Sequence, residues 1–261
     1  MELGLRGKFA LVTGGSHGIG LASAKRLAAE GCNVAICSRS QARLDAATAE
    51  LEPYGVRLLS VVADVLEADA ADRVMDAVDA EWGELQILVN NVGGGGRWGK
   101  ENVEETDIRV WSEVYEKNAM AAVRFTRRAL PHMRRARWGR VVTITSIYGG
   151  KEGVGRPWFT MAKAAETALM KSLSGMGYLV REGITFNSVA PGGIWIPGTG
   201  FEDEQRRDPE AFQRQLDAEY PLKRLGTPEE VAAVVAFLCS TEASLVNGAN
   251  ITVDGGQSRS F

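Results

Sequence analysis

FALVTGGSHGIGLASAKRLAAEGCNVAIC, residues 9–37, is the stretch that decides the fold. Phe9–Thr13 is a short apolar, β-rich run that stops at Gly14-Gly15-Ser16-His17-Gly18-Ile19-Gly20. A helical pattern follows, with Ile19, Leu21, Ala24, Leu27 and Ala28 at mixed i+3/i+4 spacing and Gly31 placed as a C-cap. Val34–Cys37 then reads as a second buried strand. Strand, glycine turn, helix and strand within about 30 residues make a βαβ unit, whose crossover sets the two strands parallel and adjacent. Glycines in that turn let the backbone bend tightly. They also let a pyrophosphate approach the helix N-terminus, where free N–H groups and the dipole favour anions.

The alternation continues outward from this unit. Helices are predicted around 41–51, 68–82, 110–135 and 160–180, and strands at 58–63, 87–89, 140–145, 185–189 and 251–253. Together with the first two, these make seven short apolar strands separated by helices. The pattern predicts an α/β fold, a Rossmann-type doubly wound seven-stranded parallel sheet in a single domain spanning 1–261. Thr227-Pro228-Glu229-Glu230 carries the signs of a helix start, with a capping threonine, proline at N1 and glutamate at N3. The polar, irregular stretch from Trp195 to Arg224 is longer than an ordinary connection, and we expect a substrate loop around 195–225.

Composition excludes several function classes. A net charge of −3 gives no global pull toward nucleic acid or an anionic membrane. The basic cluster Arg134, Arg135, Arg137 and Arg140 reads as a solvated helix end. Three cysteines without CxxC spacing, and two histidines, suggest neither a disulfide framework nor a metal site. Cys32 and Cys37 flank a strand and stand about 16 Å apart, too far to bridge. No apolar run is long enough for a signal peptide or a membrane span, so a cytoplasmic location is expected.

The spacing Thr13-Gly14-x-x-x-Gly18-x-Gly20 resembles that of the short-chain dehydrogenase/reductase family, and the resemblance extends over nearly the whole chain. Asn90-Asn91-Val92-Gly93 is similar to the family's Asn-Asn-Ala-Gly, and Asn118 stands where the family has its helix asparagine. Pro191-Gly192 follows the sixth strand, and the tail Gly248–Gly256 is similar to that of the classical branch with its 3-oxoacyl-carrier-protein reductases. The resemblance implies a hydride-transferring enzyme with a nicotinamide cofactor and no metal. It places Gly14, Ser16, His17, Gly18, Ile19 and Gly20 around the pyrophosphate, and Asp64 with Val65 at the adenine. Asn91, Gly93, Lys163, Pro191, Gly192 and Ile194 would line the ribose and nicotinamide. Ser38-Arg39 stands at the end of the second strand in place of an acidic residue. A hydroxyl and a guanidinium suit a 2′-phosphate, so NADP is expected over NAD.

One family residue is missing. In Ser146–Lys163, SIYGGKEGVGRPWFTMAK, the family's Tyr-x-x-x-Lys begins with Phe159. The resemblance implies that Ser146 bonds the substrate oxygen, that Asn118 holds a relay water, and that Lys163 lowers the pKa of a phenol near 159. Phe159 has no proton to give, and loss of a general acid costs on the order of 10²–10⁴ in rate. The residues leave three readings open. The first is an engineered Tyr→Phe form of a ketone/secondary-alcohol oxidoreductase. The second is a lineage reducing imines or catalysing a non-redox step, and the third is a nucleotide-binding pseudoenzyme. Trp98, Tyr148, Trp158 and Trp195 are expected to border the substrate pocket, and Lys151 and Arg156 could meet an acidic group. Ala162, Ala164, Ala165, Ala168, Ser172 and Gly175 lie on the helix that relatives use in a homotetramer, which is therefore expected here.

Overall fold

A computed structural model describes residues 2–100, 102–150 and 155–259. Within these residues seven strands, β1 Phe9–Thr13, β2 Asn33–Ser38, β3 Leu58–Val62, β4 Ile87–Asn90, β5 Gly139–Ile144, β6 Ile184–Pro191 and β7 Asn250–Val253, form one sheet. All pairings are parallel, in the order β3-β2-β1-β4-β5-β6-β7. The chain therefore winds outward from β1 to β3, returns to β4 beside β1, and winds outward the other way. That reversal opens a crevice at the carboxyl ends of β1 and β4, where ligands bind in sheets of this kind. β1, β4, β5 and β6 are buried along their whole length, which is why they read as continuous apolar runs.

Among the described residues ten α-helices accompany the sheet: α1 Gly18–Ala29, α2 Gln41–Leu51, α3 Ala70–Glu81, α4 Ile108–Tyr115, α5 Ala121–Ala136, α6 Pro157–Ser174, α7 Gly177–Val180, α8 Gly200–Arg207, α9 Pro209–Glu219 and α10 Pro228–Cys239. Successive strand residues face opposite layers. Val12, Ile36, Val89 and Val142 pack with Leu27 of α1, Leu44 of α2 and Val235 of α10. Leu11, Leu88, Val141 and Phe186 pack with Val74 of α3, Phe125 of α5 and Met170 of α6. Two apolar layers thus clamp the sheet and hold its carboxyl edge rigid.

The strands match the sequence expectation to within a residue or two at each end. Thr227 caps α10 in a reciprocal capping box with Glu230, as its sequence predicts. The region 195–225 is different: it is not an irregular loop but carries α8 and α9. Asp208 caps α9 through the Ala211 N–H, and Phe212, Leu216 and Tyr220 form a small apolar cluster of their own. A clasp closes the excursion at its base, with Trp195 N donating to Gly226 O at 2.8 Å and Gly226 N donating to Gly193 O at 2.9 Å. The helix expected from 110 to 135 begins at Ile108 and passes through a π-helical turn, Glu116–Met120. Arg140 is not part of a solvated end. It is buried, donates to the carbonyls of Gly139, Gly183 and Ser240, and stacks 4.2 Å over the Trp138 ring. The three cysteines are buried and free. Among the described residues no helix is long and apolar enough to cross a membrane, and no cluster of metal-ligating side chains occurs.

Candidate active site

The crevice between β1 and β4 is a cavity of about 520 Å³. Gly14, Ser16, His17, Gly18 and Ile19 line one end with Ser38, Arg39, Asp64 and Val65. Asn91, Gly93, Ser146, Phe159, Lys163, Pro191, Gly192 and Ile194 line the other. Of the residues expected around it, Gly20 and Asn118 stand behind the wall rather than in it. A Cβ on Gly20 would sit inside the radius of the Gly14 carbonyl oxygen and of Asn91 Nδ2, so only glycine lets α1 start this close to β1. Asn91 in turn donates its amide to Thr13 O at 2.9 Å and Gly14 O at 3.2 Å, stapling the ends of β1 and β4 together.

Positive charge at the Ser38–Asp64 end comes from Arg39 and the unforeseen Arg43. Arg39 lies 3.7 Å from Asp64, and its guanidinium is largely exposed and accessible to an anion. His17 lines the cavity and its Nε2 also donates to Pro197 O at 3.0 Å, which ties the glycine turn to the excursion before α8. Lys117, also unforeseen, lies 4.5 Å over the Trp98 ring; burial and the nearby Arg39 hold its pKa below the ordinary lysine value.

At the other end, Asn118 is held in the π-helical turn, a local widening that often marks a functional site. Its amide is committed to the backbone: Nδ2 donates to Val114 O at 2.7 Å and Gly94 O at 3.0 Å, and Oδ1 accepts from Gly94 N at 3.1 Å. It thereby braces the glycine loop after β4. A Cβ on Gly93 would lie 2.7 Å from both Asn118 Oδ1 and Lys163 Nζ, so a larger residue here would push those two side chains aside. Ser146 follows β5, and its Oγ accepts from Tyr148 N at 3.3 Å. Lys163 is buried and donates from Nζ to Ile144 O at 2.9 Å, with Glu166 Oε2 also 2.9 Å away. The Phe159 ring lies 5.8 Å from that ammonium and packs edge-on to Tyr148, 6.2 Å between centroids.

A second cavity of about 400 Å³ opens beyond Ser146 and Phe159, roofed by α8 and α9. Arg97, Arg156, Tyr148, Gln215, Tyr220 and Gln257 give it a polar lining. Arg97 donates to Glu204 at 2.9 Å and stacks on Phe201, joining the glycine loop to α8. Trp98 and Tyr148 border the cavities as expected. Trp158 and Trp195 do not: Trp158 is buried against Val114 and Ala162, and Trp195 packs on Phe212. Both are indoles large enough to be claimed by a local apolar cluster. Lys151 lies outside the described residues. Sequence reasoning also passed over Glu166, whose signal was a carboxylate on the buried stripe of α6.

The family model described as "Enoyl-(Acyl carrier protein) reductase" matches residues 14–258. The chain is 34% identical over 261 residues to the 3-oxoacyl-[acyl-carrier-protein] reductase FabG of Aquifex aeolicus, covering 98% of this chain and 99% of that one. The solved L-sorbose reductase of Gluconobacter frateurii, complexed with NADPH and L-sorbose, superposes with a TM-score of 0.92 at 33% identity, over 100% of both chains. A single-substitution variant of the actinorhodin polyketide ketoreductase, solved with NADPH, superposes with a TM-score of 0.88 at 33% identity, over 97% of this chain and 98% of that one.

Proposed function

The chain belongs to the short-chain dehydrogenase/reductase family, an oxidoreductase fold, and we propose that it is an NADPH-preferring enzyme for a small polar ketone or its secondary alcohol. The carrying observation is that Ser146, Phe159 and Lys163 share one cleft with the residues suited to the cofactor. When bound, NADPH supplies the hydride that reduces the carbonyl carbon.

The residues present fit that group. The turn Gly14–Gly20 and the N-terminus of α1 would hold the pyrophosphate through backbone N–H groups. Ser38 and Arg39, with Arg43 beside them, would take the 2′-phosphate, and the absence of an acidic residue at the end of β2 favours NADP over NAD. Asp64 and Val65 would meet the adenine. Asn91, Gly93, Lys163, Pro191, Gly192 and Ile194 would border the ribose and nicotinamide.

On the substrate side, the Ser146 hydroxyl would donate to the carbonyl oxygen, and the Lys163 ammonium would stabilise the alkoxide that develops there. Asn118, with both amide protons committed to Gly94 and Val114, would hold a relay water only as an acceptor, through a carbonyl oxygen. Phe159 fills the proton donor's place with a ring that donates nothing, so reduction of a ketone by this chain is slow. The polar cavity under α8 and α9 suits an oxygen-rich carbonyl compound better than a long acyl chain. The exposed face of α6, with Met161, Ala164, Ala168 and Ser172, and Gly175 just past its end, supports a homotetramer.

The test is NADPH oxidation by the chain and by its Phe159→Tyr variant over ketoses, simple ketones, 3-oxoacyl thioesters and imines. Tyrosine is expected to raise ketone reduction by about 10²–10⁴. Turnover of an imine that tyrosine leaves unchanged would assign a different reaction. Failure to bind NADPH would overturn the reading altogether.

A further inference from the structure

The buried stripe of α6 consists of Trp158, Ala162, Lys163, Glu166 and Met170, spaced so that one helical face turns inward. Two of these five carry charge. Glu166 is 1% exposed, and neither of its carboxylate oxygens has a well-aligned hydrogen-bond donor among the described residues. Its contact is with Lys163 Nζ, 2.9 Å from Oε2, and Lys163 itself is 3% exposed. A carboxylate buried in an apolar stripe with a single cation as its contact is costly, and a helix of this kind packs as well with an apolar residue there. The account of Phe159, Ser146 and Lys163 gives Glu166 no part.

The elements packed against α6 bring little other charge to this pair. β6 has no charged residue, and β5 has only Arg140, held by the carbonyls of Gly139, Gly183 and Ser240. The turn 147–149 offers the phenol of Tyr148, and α7 that of Tyr178. From the stretch 108–120, Arg109 pairs with Asp107 and Glu116 with Arg124, Glu113 is exposed, and Tyr115 adds a phenol that packs beside Trp158 and Ala162. Lys117 acts at longer range, on Lys163. Lys163 is thus the charge that Glu166 answers.

We propose that Glu166 is a positioning residue, the counter-ion that sets how much of the Lys163 charge reaches position 159 and the substrate oxygen. The inference rests on the reductase reading of the cleft. With the carboxylate ionised, ammonium and carboxylate form a close dipole whose field falls off quickly toward the cleft. With it protonated or removed, a full positive charge faces the developing alkoxide. Burial pushes the Glu166 carboxyl up to about 7, against the pull of Lys163, so the pair changes between these two states near neutral pH. The chain accordingly has a cation whose effect on the cleft is strong in mild acid and muted in mild base.

A phenol introduced at position 159 reports that charge directly. Difference absorbance between the Phe159→Tyr variant and the unmodified chain isolates the new phenol from the five tyrosines already present. Adding Glu166→Gln is expected to lower the pH of half-ionisation of that phenol by about 1, with the pH profile of kcat/KM moving the same way. Glu166→Met serves as a second, apolar replacement. A merely structural Glu166 would change the melting temperature and leave the phenol's titration in place. A movement of less than about 0.3 in both double variants would overturn the proposal. Should both fail to fold, the carboxyl ¹³C resonances of the unmodified chain decide. One glutamate titrating at pH 6 or above is expected, and none doing so refutes it. The spectral movement without any gain in ketone reduction would sink the reductase reading and leave the counter-ion standing. A gain in reduction without the movement would do the reverse.

Discussion

The turn after β1 and the segment after β5 face one another across the cleft and are built on opposite principles. Residues 14–20 work through backbone: N–H groups at the start of α1, carbonyls taken up by Asn91, and a glycine where a Cβ has no room. Ser146 and residues 156–163 work through side chains: the Ser146 hydroxyl after β5, and on α6 the Lys163 ammonium and a Phe159 ring that packs at the edge of a small apolar cluster. A change in the first region therefore disturbs the fold together with the function. In the second, a single oxygen atom can be absent from Phe159 while Ser146, Lys163 and Asn118 stay in position.

Substitutions can break or sharpen this contrast. Phe159→Tyr, with its expected effect of about 10²–10⁴ on ketone reduction, should leave the melting temperature within about 1 °C, since the ring already has its neighbours. A large stabilisation or loss would mean that position 159 matters to packing after all. Arg39→Ala, in the backbone-built half but acting as a side chain, should weaken NADPH by about 10–100-fold in a fluorescence titration and spare NADH. Equal loss for both would show that Arg39 does not read the 2′-phosphate. Gly20→Ala should destabilise the chain by about 1–3 kcal/mol in urea unfolding and weaken NADPH at the same time. Loss of binding with full stability would contradict the coupling of fold and site in this turn. Thr227→Ala, far from either region, removes the capping box of α10. It should cost about 1 kcal/mol, a melting temperature lower by about 2–4 °C, with NADPH binding unchanged.

The sheet was legible in the sequence because strands buried on both faces leave unbroken apolar runs bounded by glycine and polar turns. Residues 14–20 were legible for the same local reason, as their spacing is set by backbone geometry. The helices α8 and α9 were not read, although Asp208-Pro209 and the i, i+4, i+8 series Phe212, Leu216, Tyr220 signal α9. Their polar surroundings masked a cluster only four residues large. Trp158, Trp195 and Arg140 were misplaced because an amphipathic side chain is directed by tertiary neighbours that no local pattern contains. The partnership of Glu166 with Lys163 was half legible: helical spacing puts them on one face, but only burial shows that the carboxylate has little else to bind.

The clasp formed by Gly193, Trp195 and Gly226 has a consequence for how such a chain changes its choice of substrate. Two backbone hydrogen bonds close the base of everything between them, and neither depends on a side chain. Phe212, Leu216 and Tyr220 within the enclosed stretch form a cluster of their own, while Ile196 packs against the layer that holds α1 and α10. The principal polar ties of the stretch to the rest of the cleft, Arg97 with Glu204 and His17 with Pro197, are few and lie at the surface. The excursion is therefore an exchangeable cartridge. Its first residues, Ile196, Thr199 and Phe201, line the main cavity as well, so exchanging the excursion would alter both cavities at once while leaving the packing of the sheet in place.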